Sequence, residues 1–194
     1  MRVILASQSP RRSQLLTLIG IPHEVMPAHV DESLKDGESP TDYCNRLALA
    51  KTGHVALQYP DSLIVGSDTI VLLGREVLGK PVSEEDAVSM LRRLAGQEHT
   101  VHTAVAVSYG GRVLSGIESV RVRFRQLDES LIASYVATRE PMDKAGSYGI
   151  QGFGATIVER IEGDYFAVMG LPVGRMIELI RELGLCYDFG PVTL

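Results

Sequence analysis

The stretch Val3-Ile-Leu-Ala-Ser-Gln-Ser-Pro-Arg-Arg12 joins a short apolar run to a Ser/Pro turn and two adjacent arginines. This pattern predicts a strand that leads directly into a helix, with Ser9 at the N-cap and Pro10 at the first helical position. Arg11 and Arg12 then lie in the first turn, where the helix dipole disfavours positive charge. Guanidinium groups beside unpaired backbone N–H groups form a site for phosphate oxygens. Two solvated arginines on an ordinary helix are the alternative interpretation.

The remainder of the chain continues this alternation of strands and helices. Residues 100–107 and 113–124 alternate about Gly110 and Gly111, which predicts a long hairpin. The whole pattern predicts an α/β protein with a mixed sheet, folded over residues 1–194 as one domain or two tightly joined lobes. The other predicted strands cover residues 3–5, 24–26, 63–73 and 155–161, and the predicted helices cover residues 10–20, 39–58, 83–96, 128–138 and 172–183.

Composition excludes several classes of protein. A net charge of −5 and a pI near 5.5 argue against an extended nucleic-acid or anionic-membrane surface, which requires a large basic area. Cys44 and Cys186 have no C-x-x-C spacing, so each is interpreted as a small buried hydrophobe in a reduced protein rather than a zinc or redox ligand. No apolar run approaches about 18 residues, and Met1 leads directly into the first predicted strand. We therefore expect a soluble, cytoplasmic protein.

Asp68 lies inside the apolar run of residues 63–73. An ionised carboxylate in such a strand is costly unless it is paired, hydrogen-bonded or bound to a metal, which indicates a functional role. The alternative is a turn-forming aspartate beside a bulge at Gly66. Asp31 and Glu32, in a polar loop, offer further carboxylates for a hard cation such as Mg²⁺, although most such pairs are simply solvated.

A glycine-rich segment, residues 141–154, contains Gln151. Its glycines allow the backbone to approach a ligand closely, and the amide of Gln151 is suited to the polar edge of a base. The segment has neither the Walker nor the dinucleotide-binding glycine pattern, and an irregular structural loop is the alternative. Lys51 and Lys80 complete the cationic candidates, each of which is otherwise a solvated surface lysine.

Five motifs, in order along nearly the whole chain, resemble the Maf family of nucleoside triphosphate pyrophosphatases. They are Leu5-Ala-Ser-Gln-Ser-Pro-Arg-Arg12, Gly66-Ser-Asp-Thr69, Gly79-Lys-Pro81, Asp143-Lys-Ala-Gly-Ser-Tyr-Gly-Ile-Gln-Gly152, and Gly163-Asp-Tyr with Gly170-Leu-Pro172. The resemblance implies a two-lobed α/β fold around an elongated mixed sheet flanked by helices, similar to the inosine triphosphate pyrophosphatases, with the active site in the cleft. It also implies a homodimer and a divalent cation, Mg²⁺ or Mn²⁺.

The resemblance also implies roles for the charged candidates in releasing pyrophosphate from a nucleoside triphosphate. Asp68 would be the general base, or a metal-assisted equivalent, that orients the attacking water, and Glu32 with Asp68 would hold the metal ion. Arg12, Lys51 and Lys80 would neutralise charge on the phosphates.

The remaining candidates concern the helix start and the base. The helix N-terminus at Ser7 to Ser9 would contact the phosphates, whereas Arg11, Thr69 and Gln151 are similar to the branch of the family that acts on dTTP and UTP. The alternative function is a nucleotide-binding regulator of cell division without significant catalysis, since the family is also associated with septum inhibition.

Overall fold

The computed structural model describes residues 1–194, whose strands form a seven-stranded mixed sheet. The strand order is β2-β1-β3-β5-β6-β7, with β4 paired to β3; β1 runs parallel to β2 and β3, while β4 and β7 pair antiparallel with β3 and β6. The predicted α/β class with a mixed sheet flanked by helices is confirmed. The strands are β1 (Val3–Leu5), β2 (Glu24–Val25), β3 (Leu63–Leu73), β4 (Glu76–Leu78), β5 (Glu98–Tyr109), β6 (Arg112–Phe124) and β7 (Val158–Glu162). The helices are α1 (Pro10–Leu18), α2 (Pro40–Ala56), α3 (Glu84–Leu94), α4 (Glu129–Ala137), α5 (Tyr165–Met169) and α6 (Val173–Glu182).

Contacts divide the chain into two units. The first unit comprises Met1–Asp68, Thr103–Glu118 and Gly170–Leu194. Part of its core is a cluster in which Ile4 of β1 and Ile64 of β3 pack with Val55 of α2, because β1 and the first three residues of β3 are apolar.

The second unit comprises Thr69–His102 and Ser119–Met169. Its core is built around Phe124 at the end of β6, with side chains of α3 and α4 packed into the same cluster. None of the helices combines the length and apolar composition that crossing a membrane requires.

Several helix and strand boundaries follow directly from local signals in the sequence. The hydroxyls of Ser39 and Ser83 accept hydrogen bonds from the N–H groups of Asp42 and Asp86 at 3.1 and 3.2 Å, so these serines are the N-cap residues of α2 and α3. Asp128 caps α4 in the same manner.

The predicted strand over residues 155–161 begins too early. A 3₁₀ turn occupies Gly152–Thr156, so β7 begins only at Val158. Periodicity also missed β4 and α5, because segments of 3 and 5 residues are too short to show a hydrophobic repeat.

Candidate active site

Asp68 lies near the middle of β3 and is only 8% exposed. A buried carboxylate needs a compensating charge, and Lys51 of α2 provides it: Nζ donates to Oδ1 of Asp68 at 2.7 Å. The Lys51 side chain is itself nearly buried. The alternative interpretation of Asp68 as a turn residue is wrong, because β3 is continuous from Leu63 to Leu73.

Gly66 allows α2 to pack closely against β3. A Cβ atom at this position would lie 2.2 Å from Oγ1 of Thr52 and 3.0 Å from the backbone oxygen of Ala48. Thr52 cannot easily turn away, since its hydroxyl already donates to the Ala48 oxygen at 2.9 Å. Because Thr52 follows Lys51 in α2, this close approach sets the position of the helix residue that pairs with Asp68.

Glu32 completes the charged cluster from the loop that precedes α2. Its Oε1 atom lies 2.7 Å from Nζ of Lys51, but its side chain is 58% exposed. The loop is tied to α2 by Tyr43, whose hydroxyl donates to the backbone oxygen of Glu32 at 2.8 Å. Arg46 adds a second tie, to the backbone oxygen of Ser33 at 2.9 Å.

A single ammonium group therefore stands between two carboxylates. The Glu32 and Asp68 oxygens each lie 2.7 Å from the Lys51 nitrogen, and the three side chains carry a net negative charge. No group of three or more His, Cys, Asp or Glu side chains is arranged to hold a metal ion. Mg²⁺, however, is usually bound by one or two carboxylates together with water and substrate phosphates. The donor chemistry of Glu32 and Asp68 fits that requirement.

Arg12 is oriented by groups from distant parts of the first unit. Its Nε donates to the backbone oxygen of Gly170 at 2.7 Å, and its Nη1 donates to Oγ of Ser7 at 2.9 Å. The hydroxyl of Ser67 donates to the same Gly170 oxygen at 2.9 Å. Burial lowers the pKa of Arg12, and the charge of Asp68 opposes that shift. Arginine remains charged in such surroundings, so Arg12 is a fixed, partly desolvated cation.

The first turn of α1 differs in one detail from the prediction. Pro10 occupies the first helical position and Ser9 is the N-cap residue, but the Ser9 side chain makes no capping hydrogen bond. Its backbone N–H instead donates to Oγ of Ser7 at 3.2 Å. The turn contains no acidic residue, so Arg11 and Arg12 leave it purely cationic.

Three predicted site residues belong to the second unit. Thr69 directly follows Asp68 in β3, whereas Lys80 and Gln151 are exposed on connecting segments. The backbone N–H of Gly146 donates to the oxygen of Gly79 at 3.0 Å, which joins the glycine-rich segment to the segment that carries Lys80. In the first unit, six predicted residues make direct contacts in two groups. Ser7 contacts Ser9 and Arg12, and Lys51 contacts Glu32 and Asp68.

Cys44 lies beneath the charged cluster and donates a hydrogen bond from Sγ to the backbone oxygen of Asp68 at 3.3 Å. Burial, with a contribution from the Asp68 charge, raises the pKa of Cys44 to about 12, so the group is a neutral thiol rather than a nucleophile. The prediction of a small buried side chain is confirmed for Cys44 and wrong for Cys186, which is exposed.

Sequence reasoning missed the residues that hold the site together. Ser67 was detectable, because a hydroxyl inside an apolar strand requires a hydrogen-bond partner. No local signal marks Tyr43 as the donor to Glu32 or Gly170 as the acceptor for Arg12.

Residues 2–183 match the family described as Maf-like protein, so the chain belongs to the Maf-like family. The resemblance recognised in the sequence motifs is thereby confirmed. Among its relatives is a dTTP/UTP pyrophosphatase of Aquifex aeolicus (strain VF5), 49% identical over 185 residues, which are 95% of this chain and 97% of the relative. A dTTP/UTP pyrophosphatase of Geobacillus sp. (strain WCH70) is 47% identical over 94% of this chain and 98% of its own. Among solved structures, the Staphylococcus aureus Ham1 protein aligns with a TM-score of 0.49 and 14% identity, over 81% of this chain and 80% of that chain.

Proposed function

We propose that this protein hydrolyses nucleoside triphosphates to the monophosphate and pyrophosphate, with dTTP and UTP as its preferred substrates. The observation that carries the proposal is the buried pair of Asp68 and Lys51 on β3 and α2, with Glu32 on the same ammonium group. Two relatives that cover nearly the whole chain bear the name dTTP/UTP pyrophosphatase, which supports the same substrate class.

Asp68 is the proposed general base. As the water oxygen forms a bond to the α-phosphorus, the Asp68 carboxylate takes the water proton, and the bond from the α-phosphorus to the bridging oxygen breaks with pyrophosphate as the leaving group. The ammonium group of Lys51, 2.7 Å from Oδ1, compensates the charge of this nearly buried carboxylate before the proton arrives.

The cationic side chains are proposed to neutralise charge on the phosphates, where most of the catalysis of phosphoryl transfer resides. Arg12 is suited to this role because the Gly170 oxygen and the Ser7 hydroxyl fix two of its nitrogens. Lys51, Lys80 and the helix start from Ser7 to Ser9 are proposed to act on the phosphates as well.

Arg11, Thr69 and Gln151 are proposed to select the base. A site that hydrogen-bonds a base edge discriminates strongly, because its polar groups are left unpaired when the wrong base enters. The support for these three residues is the family resemblance together with the exposed position of the Gln151 amide.

Glu32 and Asp68 are proposed to hold Mg²⁺ or Mn²⁺. When bound, such a cation supplies positive charge to the phosphate oxygens. We expect excess EDTA to abolish turnover and added Mg²⁺ or Mn²⁺ to restore it, and full activity in EDTA would exclude the metal. We further propose, from the family resemblance, that the protein acts as a homodimer in the cytoplasm; light scattering of the purified protein measures the first of these.

The test is pyrophosphate release by the purified protein from dTTP, UTP, CTP, ATP, GTP and 7-methyl-GTP. We expect the highest kcat/KM with dTTP and UTP, and a loss of about a hundredfold or more in Asp68→Asn with the fold retained. Asp61→Asn, which alters an exposed carboxylate just before β3, is the matched control. Near-normal turnover by Asp68→Asn, a preference for 7-methyl-GTP, or release of a nucleoside diphosphate and orthophosphate would contradict the proposal. Nucleotide binding without turnover would support the regulatory alternative.

A further inference from the structure

The carboxylate of Glu140 accepts two hydrogen bonds from the segment that carries Gln151. Its Oε2 atom accepts from the backbone N–H of Phe153 at 2.9 Å, and its Oε1 atom accepts from the N–H of Gly154, also at 2.9 Å. Glu140 lies directly after α4, in a 3₁₀ turn that begins a glycine-rich stretch. The backbone on the C-terminal side of Gln151 is therefore held by one side chain.

Tyr135 extends the same hydrogen-bond network to the other side of Gln151. Its hydroxyl donates to Oε1 of Glu140 at 2.9 Å and accepts from the backbone N–H of Gly149 at 3.1 Å. The Tyr135 ring is fixed in the core of the second unit, where it is 5% exposed, and burial raises the pKa of its hydroxyl. Gln151 thus lies between Gly149, which Tyr135 holds, and the turn that Glu140 holds. We call these two side chains, Tyr135 and Glu140, the Glu140 clamp.

The segment has glycine at two positions where a side chain would collide with the clamp or with the backbone beside it. Gly152 has a φ of +65°, and a Cβ atom there would lie 2.4 Å from Oε2 of Glu140. At Gly154, a Cβ atom would lie 2.0 Å from the backbone oxygen of Gly149 and 2.8 Å from the Tyr135 hydroxyl. Glycine at both positions lets the backbone approach Glu140, Tyr135 and Gly149 this closely. The glycines and the clamp therefore specify the same conformation of the segment.

We propose that Glu140 is the positioning residue for Gln151, and that it sets base selectivity by fixing the backbone after that residue directly and the backbone before it through Tyr135. The inference rests on the proposed function, in which Gln151 contacts the base. Gln151 itself is exposed with extended backbone, φ −104° and ψ 173°, so the direction of its side chain depends on the segment to which it is attached. Selectivity requires that direction to be constant, because a hydrogen-bonding group discriminates only when it is held in place.

The contacts of Glu140 require a carboxylate at this position. Its two oxygens accept hydrogen bonds from Tyr135, Phe153 and Gly154, and an ionised carboxylate is an acceptor at both oxygens. In Glu140→Gln, the amide has one acceptor oxygen, so its NH₂ group faces at least one N–H donor without an acceptor. Tyr135→Phe keeps the carboxylate and removes only the bond to Gly149 and the donor to Glu140.

The experiment measures kcat and KM for dTTP and ATP in wild type, Glu140→Gln, Tyr135→Phe and a matched control. The control is Glu129→Gln, which removes an exposed carboxylate of α4 paired with Arg92. We expect Glu140→Gln to lower the dTTP-to-ATP ratio of kcat/KM by about tenfold, mainly through a higher KM for dTTP, with a smaller loss in Tyr135→Phe and none in Glu129→Gln. A general loss of folding would lower kcat for both nucleotides and leave their ratio unchanged.

A double-variant cycle determines whether Glu140 acts through Gln151. If it does, Glu140→Gln combined with Gln151→Ala has the same dTTP-to-ATP ratio as Gln151→Ala alone. A further tenfold loss in the double variant would overturn the inference, as would an unchanged ratio in Glu140→Gln. Amide hydrogen exchange gives a readout without turnover: the N–H groups of Phe153 and Gly154 should exchange about tenfold faster in Glu140→Gln, and unchanged rates would also overturn it. If wild type releases no pyrophosphate from any nucleotide, the proposed function fails, whereas retained selectivity in an active Glu140→Gln variant defeats only this inference.

Discussion

The position of Glu32 depends in part on one hydroxyl group, that of Tyr43. Its side chain is more than half exposed, and its backbone oxygen accepts a hydrogen bond from Tyr43 at 2.8 Å. An exposed carboxylate on a loop loses more conformational freedom on binding a ligand than the nearly buried Asp68 does. The two proposed metal ligands therefore differ: β3 holds Asp68 rigidly, whereas α2 holds Glu32 through Tyr43.

At this residue scale, we predict that Tyr43→Phe weakens metal binding at the active site, because the backbone of Glu32 loses its hydrogen bond to α2. One hydrogen bond contributes about 1 kcal/mol, so the Mg²⁺ or Mn²⁺ concentration for half-maximal activity should rise about fivefold with little change in maximal turnover. A metal titration of pyrophosphate release measures the shift. Tyr187→Phe is the matched control, because the Tyr187 hydroxyl also donates to a backbone oxygen at 2.8 Å, that of Ile19. An equal shift in both variants would contradict the role of Tyr43.

At the scale of elements, the contact between α2 and β3 determines whether the charged cluster forms. The helix approaches the strand at Gly66, and the same contact places Lys51 beside Asp68. Since protein interiors are close-packed, a shift of α2 by even a few tenths of an ångström alters the geometry of this pair.

We predict that Gly66→Ala lowers the free energy of unfolding by about 1–3 kcal/mol, because the added methyl group overpacks against Thr52 and the Ala48 oxygen. Turnover should fall as well, because α2 carries Lys51 away from Asp68. Urea unfolding and pyrophosphate release measure the two effects. Gly53→Ala is the control: its Cβ would meet nothing within 4 Å, and alanine is favoured over glycine inside a helix by up to about 1 kcal/mol. A Gly66→Ala variant as stable as wild type would show that α2 and β3 are not tightly packed there.

At the scale of the whole molecule, a buried histidine makes stability depend on pH. His99 is 2% exposed; its Nε2 atom shares a hydrogen bond with the Tyr148 hydroxyl at 2.8 Å, and its Nδ1 atom has no partner. Burial lowers the pKa of His99 from 6.5 to about 4, and burial also lowers the pKa of His102. The unfolded chain therefore binds a proton at a higher pH than the folded protein does.

This difference in pKa makes acid destabilising. The contribution of neutral His99 to the free energy of unfolding is fully present above pH 6.5 and is lost as the pH falls toward 4, because only the unfolded state gains the proton in that window. We predict that the free energy of unfolding falls by about 2 kcal/mol between pH 7 and pH 5 through His99. Urea unfolding at several pH values measures it. His99→Gln should show a clearly smaller fall, whereas His29→Gln, which removes an exposed imidazole, should retain the fall of wild type. An unchanged fall in His99→Gln would contradict the prediction.

Local signals determined much of the fold. The apolar run of residues 63–73 is β3 over its full length, and the capping patterns at Ser39 and Ser83 begin α2 and α3, because strand burial and helix capping depend on residues within a few positions of one another. The same reasoning identified Asp68, since a charge within an apolar strand is costly wherever the strand lies.

Only the tertiary structure decided which groups meet. Lys51 is 17 positions from Asp68, Ser67 is 103 positions from the Gly170 oxygen that it shares with Arg12, and Glu140 is 14 positions from Gly154. No periodicity specifies these pairs, because they depend on how one element packs against another. The 3₁₀ turn at Gly152–Thr156 illustrates the reason: its last two residues were predicted to begin a strand, but the turn forms there, and the N–H groups of Phe153 and Gly154 bind the Glu140 carboxylate. A distant acceptor, which no local pattern contains, determined the path of that backbone.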